Sequence, residues 1–260
     1  MKACIALVFL LCGGVCFAQA SAHGRPQIQA AYPESEAAAA WRALAASYVR
    51  KAIEEQTLDR DRSLNARVDA VMAAVGAAVA TIDARFANCS WKAILIKDFG
   101  YGAAAFPGET ILVDAQFVRK LELNDEELAL ILAHEAAHVV AGHAAVKLSY
   151  MAESLGKEKL PTARTALLEF LAKDTYAVSY RPTARLQERE ADTVGAAIFF
   201  ATGYDSKRAL RLFDKLAAME GSEDGPGTDP HDSANARKQI FSAVTADLQQ
   251  IHARRDSKSQ

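Results

Sequence analysis

Three side chains able to bind a metal or move a proton fall within five positions: His134, Glu135 and His138, in the run HEAAH. On a helix the two histidines lie one turn apart and about 40° round the axis, so both imidazoles can reach one ion. Glu135 follows the first of them. This is the spacing of the HExxH zinc motif, with two imidazole ligands and a carboxylate able to take a proton from metal-activated water. Chance alone would place such a run in roughly one chain in a hundred of this length. The flanking residues weigh against chance. Asn124 is a good N-cap, and Asp125, Glu126 and Glu127 fill a first turn where the helix dipole favours acids. Leu128, Leu130, Ile131 and Leu132 leave few polar gaps, which predicts a helix buried on most sides. Histidines and a glutamate buried there without partners would be costly, and a metal removes that cost.

A catalytic zinc bound by two histidines needs a third protein ligand and an open position. Glu188 and Asp192, in the run EREAD, are four residues apart and share a helix face. Glu188 can be that ligand, and Asp192 can accept the second ring N–H of a ligating histidine. A pair of solvated acids is the plain alternative. His143 lies nine residues past His134, about 180° round the same helix. It is expected to be a surface or hydrogen-bonding residue unless Gly142 breaks the helix.

HEAAH preceded by DEELALILA, then EREADTVG and ATGYD, resembles the zinc metallopeptidase family of the CAAX prenyl proteases and heat-shock HtpX proteins. The stretch AAAFPGETILVDAQFV resembles the strand pair ahead of the zinc helix in that family. The resemblance spans residues 55–245 and implies a gluzincin-type site with one Zn2+ per chain. It implies that Glu188 is the third ligand and that Asp192 stands behind a histidine. It also implies that His231 and Arg237, six residues apart, lie near the zinc, although Pro-His-Asp stands here where the family has His-Pro. Two roles fit His231: an imidazole that stabilises the oxyanion of the reaction, or one that occupies the open position until it moves. An exposed loop histidine is the alternative.

Residues 35–56 read as a helix, with Trp41, Leu44, Tyr48 and Ile53 on its apolar side, and residues 61–85 as a second. Short strands are expected over 91–96, 101–106 and 109–114, with Pro107-Gly108 as a turn. The strand 109–114 could take an extended substrate as an added strand. Residues 144–182 read as helical, interrupted at Gly156 and Pro161, with a boundary at Arg181-Pro182. Residues 221–230 read as a loop, followed by a helix from Ser233 to Ala253. The fold expected is α+β, a mostly helical zincin-type domain over residues 21–260 with a small sheet preceding the HExxH helix.

Residues 1–20 read as a signal peptide: Lys2, an apolar run from Ala3 to Phe17, and the small-x-small site Ala18-Gln19-Ala20. The apolar run is short for a membrane anchor, which needs roughly twenty residues. Lipidation at Cys16 is a second alternative, disfavoured by Val15. Cys89 is the one cysteine beyond this segment, so no internal disulfide is expected. The stretch 70–80 is too short to span and is bounded by Asp69 and Asp83, so a mature chain without a transmembrane segment is expected. The 260 residues carry a net charge of -2 and no basic patch, which argues against a nucleic-acid partner.

These observations predict a zinc-dependent endopeptidase of the cell envelope, exported to the periplasm. The resemblance implies unfolded or misassembled proteins as substrates. The competing class is a zinc-containing holdase or assembly factor with a non-cutting peptide groove, which has no need of Glu135. A closed structural zinc site would need a fourth firm ligand.

Overall fold

The computed structural model describes residues 28–220 and 231–257. The expected signal peptide, with Cys16, and the expected loop 221–230 lie outside the described residues. The elements run α1 (Glu34–Glu54), α2 (Arg62–Ile82), β1 (Lys92–Ile96), β2 (Ala103–Phe106), β3 (Thr110–Asp114), α3 (Ala115–Lys120) and α4 (Asp125–Val140). They continue as α5 (His143–Leu155), α6 (Ala163–Ala172), α7 (Asp174–Thr202), α8 (Ser206–Ala209), α9 (Arg211–Glu220) and α10 (Ala234–Asp256). The class is α+β, mostly helical, with the small sheet ahead of the helix that carries HEAAH.

The sheet order is β1-β3-β2, with β3 parallel to β1 and antiparallel to β2. Side chains alternate across it, as the strand repeat requires. Ile111 and Val113 join an apolar cluster built with α2, α4 and α7, while Leu112 joins one built with α1, α5 and α6. Both edges of β3 are therefore occupied. The expectation that residues 109–114 offer a free edge is corrected: β1 and β2 are the outer strands, β1 is bridged at Ile96 by Leu58, and β2 packs on α4.

Asp61 caps α2 by accepting hydrogen bonds from the Ser63 and Leu64 amides. Leu64, Val68, Val71, Met72, Val75 and Val79 recur at helical spacing and are all buried. By length and composition alone α2 could cross a membrane, a longer apolar helix than the stretch 70–80 suggests. Here its apolar stripe packs on β1, α4 and α7. On α1, Trp41 is buried as expected, whereas Ile53 is 58% exposed.

Residues 144–182 depart from expectation in two respects, the first an unexpected break at Lys173 between α6 and α7. Gly156 ends α5, but α7 runs straight through Arg181-Pro182. Proline cannot donate to the carbonyl of Val178, a loss expected to break a helix in a dry interior. This turn is on the surface, with Val178 and Pro182 both exposed, so water can take the missing place.

Candidate metal centre

The centre is built where α4 and α7 press together. Asn124 starts α4 with a capping box: its side chain accepts from the Glu127 amide, and Glu127 accepts from the Asn124 amide. Glu127 is fully buried and also takes a hydrogen bond of 2.7 Å from Lys215, which ties α9 to the start of α4. The alanines of α4, at 129, 133, 136 and 137, are buried without bulk. On α7 the facing stripe is Glu188, Ala191, Asp192 and Gly195, at the spacing of one helix face. A Cβ on Gly195 would sit 2.9 Å from the His134 Cα and 3.0 Å from its backbone nitrogen. Glycine is thus what lets α7 approach α4 at the first histidine of the motif.

Three imidazole nitrogens gather there round one carboxylate oxygen. Glu188 Oε2 lies 3.2 Å from His134 Nε2, 3.4 Å from His138 Nε2 and 2.8 Å from His231 Nε2. The two Nε2 atoms of His134 and His138 are 3.1 Å apart. A tetrahedral ion with bonds of about 2.0–2.1 Å would separate its ligand atoms by about 3.3–3.4 Å. The spacings among His134, His138 and Glu188 lie close to that figure, and the His231 contact of 2.8 Å is shorter. Glu188 Oε2 is buried and, despite the crowding nitrogens, none is aligned to hydrogen-bond it. A buried acceptor in that condition calls for a cation. Neutral imidazole and carboxylate are the donor set that zinc takes.

The proton inventory agrees. His134 Nδ1 lies 3.0 Å from Asp192 Oδ1, and Arg237 donates to the same carboxylate at 2.9, 3.0 and 3.1 Å. With its proton on Nδ1 and given to Asp192, His134 keeps the Nε2 lone pair toward Glu188. Burial pushes the His134 imidazole toward neutrality, but Asp192 and Glu188 outweigh it and raise its pKa overall. The same field that favours a proton there favours a metal ion. Burial also raises the carboxyls of Glu188 and Asp192, yet the imidazoles around them, and Arg237 beside Asp192, bring both below the usual range. Glu135 is half-buried on α4, and among the described residues its carboxylate accepts no hydrogen bond.

All seven residues singled out in the sequence occupy this one place. His231 reaches it just ahead of α10, its ring centroid 5.6 Å from that of His134. Its Nε2, with one ligand atom each of His134 and Glu188, forms a group within 4.8 Å. The geometry corrects the placement of His143. Gly142 takes the left-handed conformation, φ 71°, and α5 leaves α4 at a bend of 48°. His143 is thereby buried against the back of His138, not turned half-way round the axis from the site. Sequence reasoning missed Gly195, Glu190 and Arg189. A glycine in mid-helix was the one available signal for the first. The Arg189–Asp232 ion pair of 2.6 Å, which fastens the His231 segment to α7, joins residues 43 positions apart and has no local signature.

Comparison with known proteins agrees with this geometry. The chain is 26% identical over 158 residues to the mitochondrial metalloendopeptidase OMA1 of Arabidopsis thaliana, covering 58% of this chain and 31% of that protein. It is 26% identical over 146 residues to the protein of the same name from Schizosaccharomyces pombe, covering 52% of this chain and 40% of the relative. The chain thus spans well under half the length of either relative. The profile described as Peptidase family M48 matches residues 60–252, which takes in both HEAAH and EREAD as well as His231 and Arg237. The chain belongs to peptidase family M48, the zinc metallopeptidase family that those two segments resemble.

Proposed function

We propose that the protein is a zinc-dependent endopeptidase in which His134, His138 and Glu188 hold the ion and Glu135 is the general base. The observation that carries this reading is the buried Glu188 Oε2, ringed by three imidazole nitrogens at 2.8 to 3.4 Å. Zinc held there would supply Lewis acidity toward a peptide carbonyl and toward water. The remaining steps belong to the chain. Glu135, next to His134 on α4, takes the proton from the attacking water and returns it to the leaving amine. Asp192, clamped by Arg237, holds His134 in the tautomer that leaves Nε2 for the metal. An extended substrate can add to the edge of β2 that is unpaired among the described residues, and β2 packs on α4. Such recognition reads backbone more than side chains and favours unfolded or misassembled proteins. The charge pattern of residues 1–20 supports an exported, periplasmic protein.

His231 Nε2 stands at ligand distance from Glu188, which supports its role as a neutral imidazole in the open position, holding the enzyme latent. The binding-only reading, a holdase, gives Glu135 nothing to do. The test is metal content and casein hydrolysis of wild type and two variants, with and without chelator. Glu135→Gln should retain one zinc and lose about 10²- to 10⁴-fold in rate. His138→Ala should lose the metal. Stoichiometric zinc in His138→Ala would overturn the ligand set, and near wild-type cleavage by Glu135→Gln would overturn the base.

A further inference from the structure

The two histidines of the motif are held from behind in different ways. His134 gives its Nδ1 proton to a carboxylate clamped by a guanidinium. Among the described residues His138 has an imidazole, not a carboxylate, behind it. Its Nδ1 lies 2.8 Å from the Nδ1 of His143, and the Nε2 of His143 lies 3.3 Å from Glu190 Oε2. Two ring nitrogens at that separation share one proton, and the ligand geometry decides whose it is. His138 Nε2 faces Glu188 Oε2 and His134 Nε2, so that nitrogen keeps its lone pair for the metal. The proton of a neutral His138 then sits on Nδ1 and is donated to His143. His143, accepting at Nδ1, carries its own proton on Nε2 and donates it to Glu190. One assignment satisfies every donor and acceptor in the row.

We propose that His143, backed by Glu190, is the positioning residue that fixes His138 in the tautomer and ring orientation that bind zinc. The inference rests on the reading of His138 as a zinc ligand. The fold supports it at each step. The left-handed Gly142 turns the chain so that the first residue of α5 folds back onto α4. The rings of His138 and His143 meet edge to face, with centroids 4.9 Å apart and planes at 75°. The His143 side chain is only 6% exposed, so water cannot readily replace it as acceptor. Glu190 lies between Glu188 and Asp192 in sequence, so α7 supplies a zinc ligand and the ends of both supports. An imidazole is a weaker acceptor than a carboxylate, so the two ligands are held unequally from behind.

The experiment uses the full chain loaded with zinc. Zinc affinity is measured by chelator competition in wild type, His143→Ala, His143→Asn, Glu190→Ala and His138→Ala. The Nδ1–H proton of His138 is followed by NMR on protein carrying ¹⁵N-labelled histidine. His143→Ala should weaken zinc about 10- to 100-fold, as removal of such supports does. It should also abolish the exchange-protected His138 Nδ1–H signal. In His143→Asn the amide oxygen stands where Nδ1 stood, so the signal should persist and most of the affinity return. Glu190→Ala should shift the His143 Nε2–H resonance and weaken zinc less. Wild-type affinity in His143→Ala would overturn the proposal, as would equal losses in the Ala and Asn variants, which would mean simple packing. If His143→Ala does not fold, the Asn and Glu190 variants decide by the same signals. A wild type that binds no zinc, or a His138→Ala protein that keeps it, would instead sink the ligand reading beneath.

Discussion

Gly195→Ala sets two physical effects against each other. Gly195 is buried inside α7, and alanine in a helix interior is favoured over glycine by about 1 kcal/mol. Propensity alone therefore predicts a more stable protein. Packing predicts the reverse. The new Cβ would lie 2.9 Å from His134 Cα, 3.0 Å from His134 N and 3.2 Å from the Ala133 carbonyl oxygen. Carbon atoms prefer about 3.5 Å or more, so α7 would have to retreat from α4 by roughly 0.6 Å. All three obstructing atoms are helix backbone, so none can rotate aside. Overpacking of this kind costs about 1–3 kcal/mol, and a rigid backbone puts this case near the top of the range. The net loss is then about 1–2 kcal/mol, which in a domain of this size lowers Tm by roughly 2–8 °C. The same retreat moves Glu188 and Asp192, because they share the helix. Contacts of 3.0 to 3.4 Å to the two histidines would lengthen, and zinc affinity should fall by about tenfold or more. Thermal melts with and without zinc, together with chelator competition, measure both effects. A raised Tm with unchanged zinc affinity would refute the argument that Gly195 sets the spacing of the site.

Asp192→Asn should weaken zinc about 10- to 100-fold while the protein stays folded; unchanged affinity would mean that Asp192 merely neutralises Arg237. His231→Ala at equal zinc content should raise initial rates on an unfolded substrate if the imidazole holds the open position, and lower them if it stabilises the oxyanion. An unchanged rate would remove His231 from the site. At the Asp59–Arg119 pair, the hydrogen bonds of Arg119 hold the Asp59 carboxyl below its usual range despite burial. That stability is present above the unfolded aspartate value of about 3.9 and is lost as pH falls through the folded one. The difference in Tm between wild type and Arg119→Ala should therefore be constant near neutrality and shrink below about pH 4. A pH-independent difference would refute it.

What could be read from the sequence was what is local in it. The HEAAH spacing, the Asn124 cap and the apolar stripe of α2 are each decided by residues within a few turns, and the fold contains them as read. Glu188 and Asp192 were legible as a pair sharing a face, but only distant pairing shows which helix that face meets. The strand order was not legible. β3 pairs in parallel with β1 across an intervening strand, and apolar runs of similar composition carry no label of centre or edge. His143 has the hydrogen-bonding role expected of it, but its position turns on Gly142: on one unbroken helix it faces away from the site, and one left-handed glycine restarts the count. Pro182 marks no helix boundary, because the missing hydrogen bond falls on an exposed turn.

The donors round Glu188 differ in what holds them. His134 and His138 sit on α4 and Glu188 on α7, two helices packed through alanines and a glycine in the main core. Moving any of the three means unpacking that core. His231 arrives from outside it. Its segment is fastened by the Arg189–Asp232 pair, in which the arginine side chain is 56% exposed, and by a hydrogen bond from the Ala234 amide to Glu220. Exposed ion pairs contribute about 0–1 kcal/mol, so this tether is weak beside the helix packing. A catalytic zinc needs three firm ligands and one position that can exchange. On the proposed reading firmness follows burial: His134, His138 and Glu188 would stay with the core, whereas His231 could be displaced at the cost of a surface tether. Arg237 is not part of that exchange. It lies on α10 beyond the segment, buried against Asp192, so His231 can leave without loosening the support behind His134. Cutting the tether alone, with Arg189→Ala, should therefore raise the cleavage rate without changing zinc affinity. A loss of zinc in that variant would show that His231 and the core ligands are held as one unit.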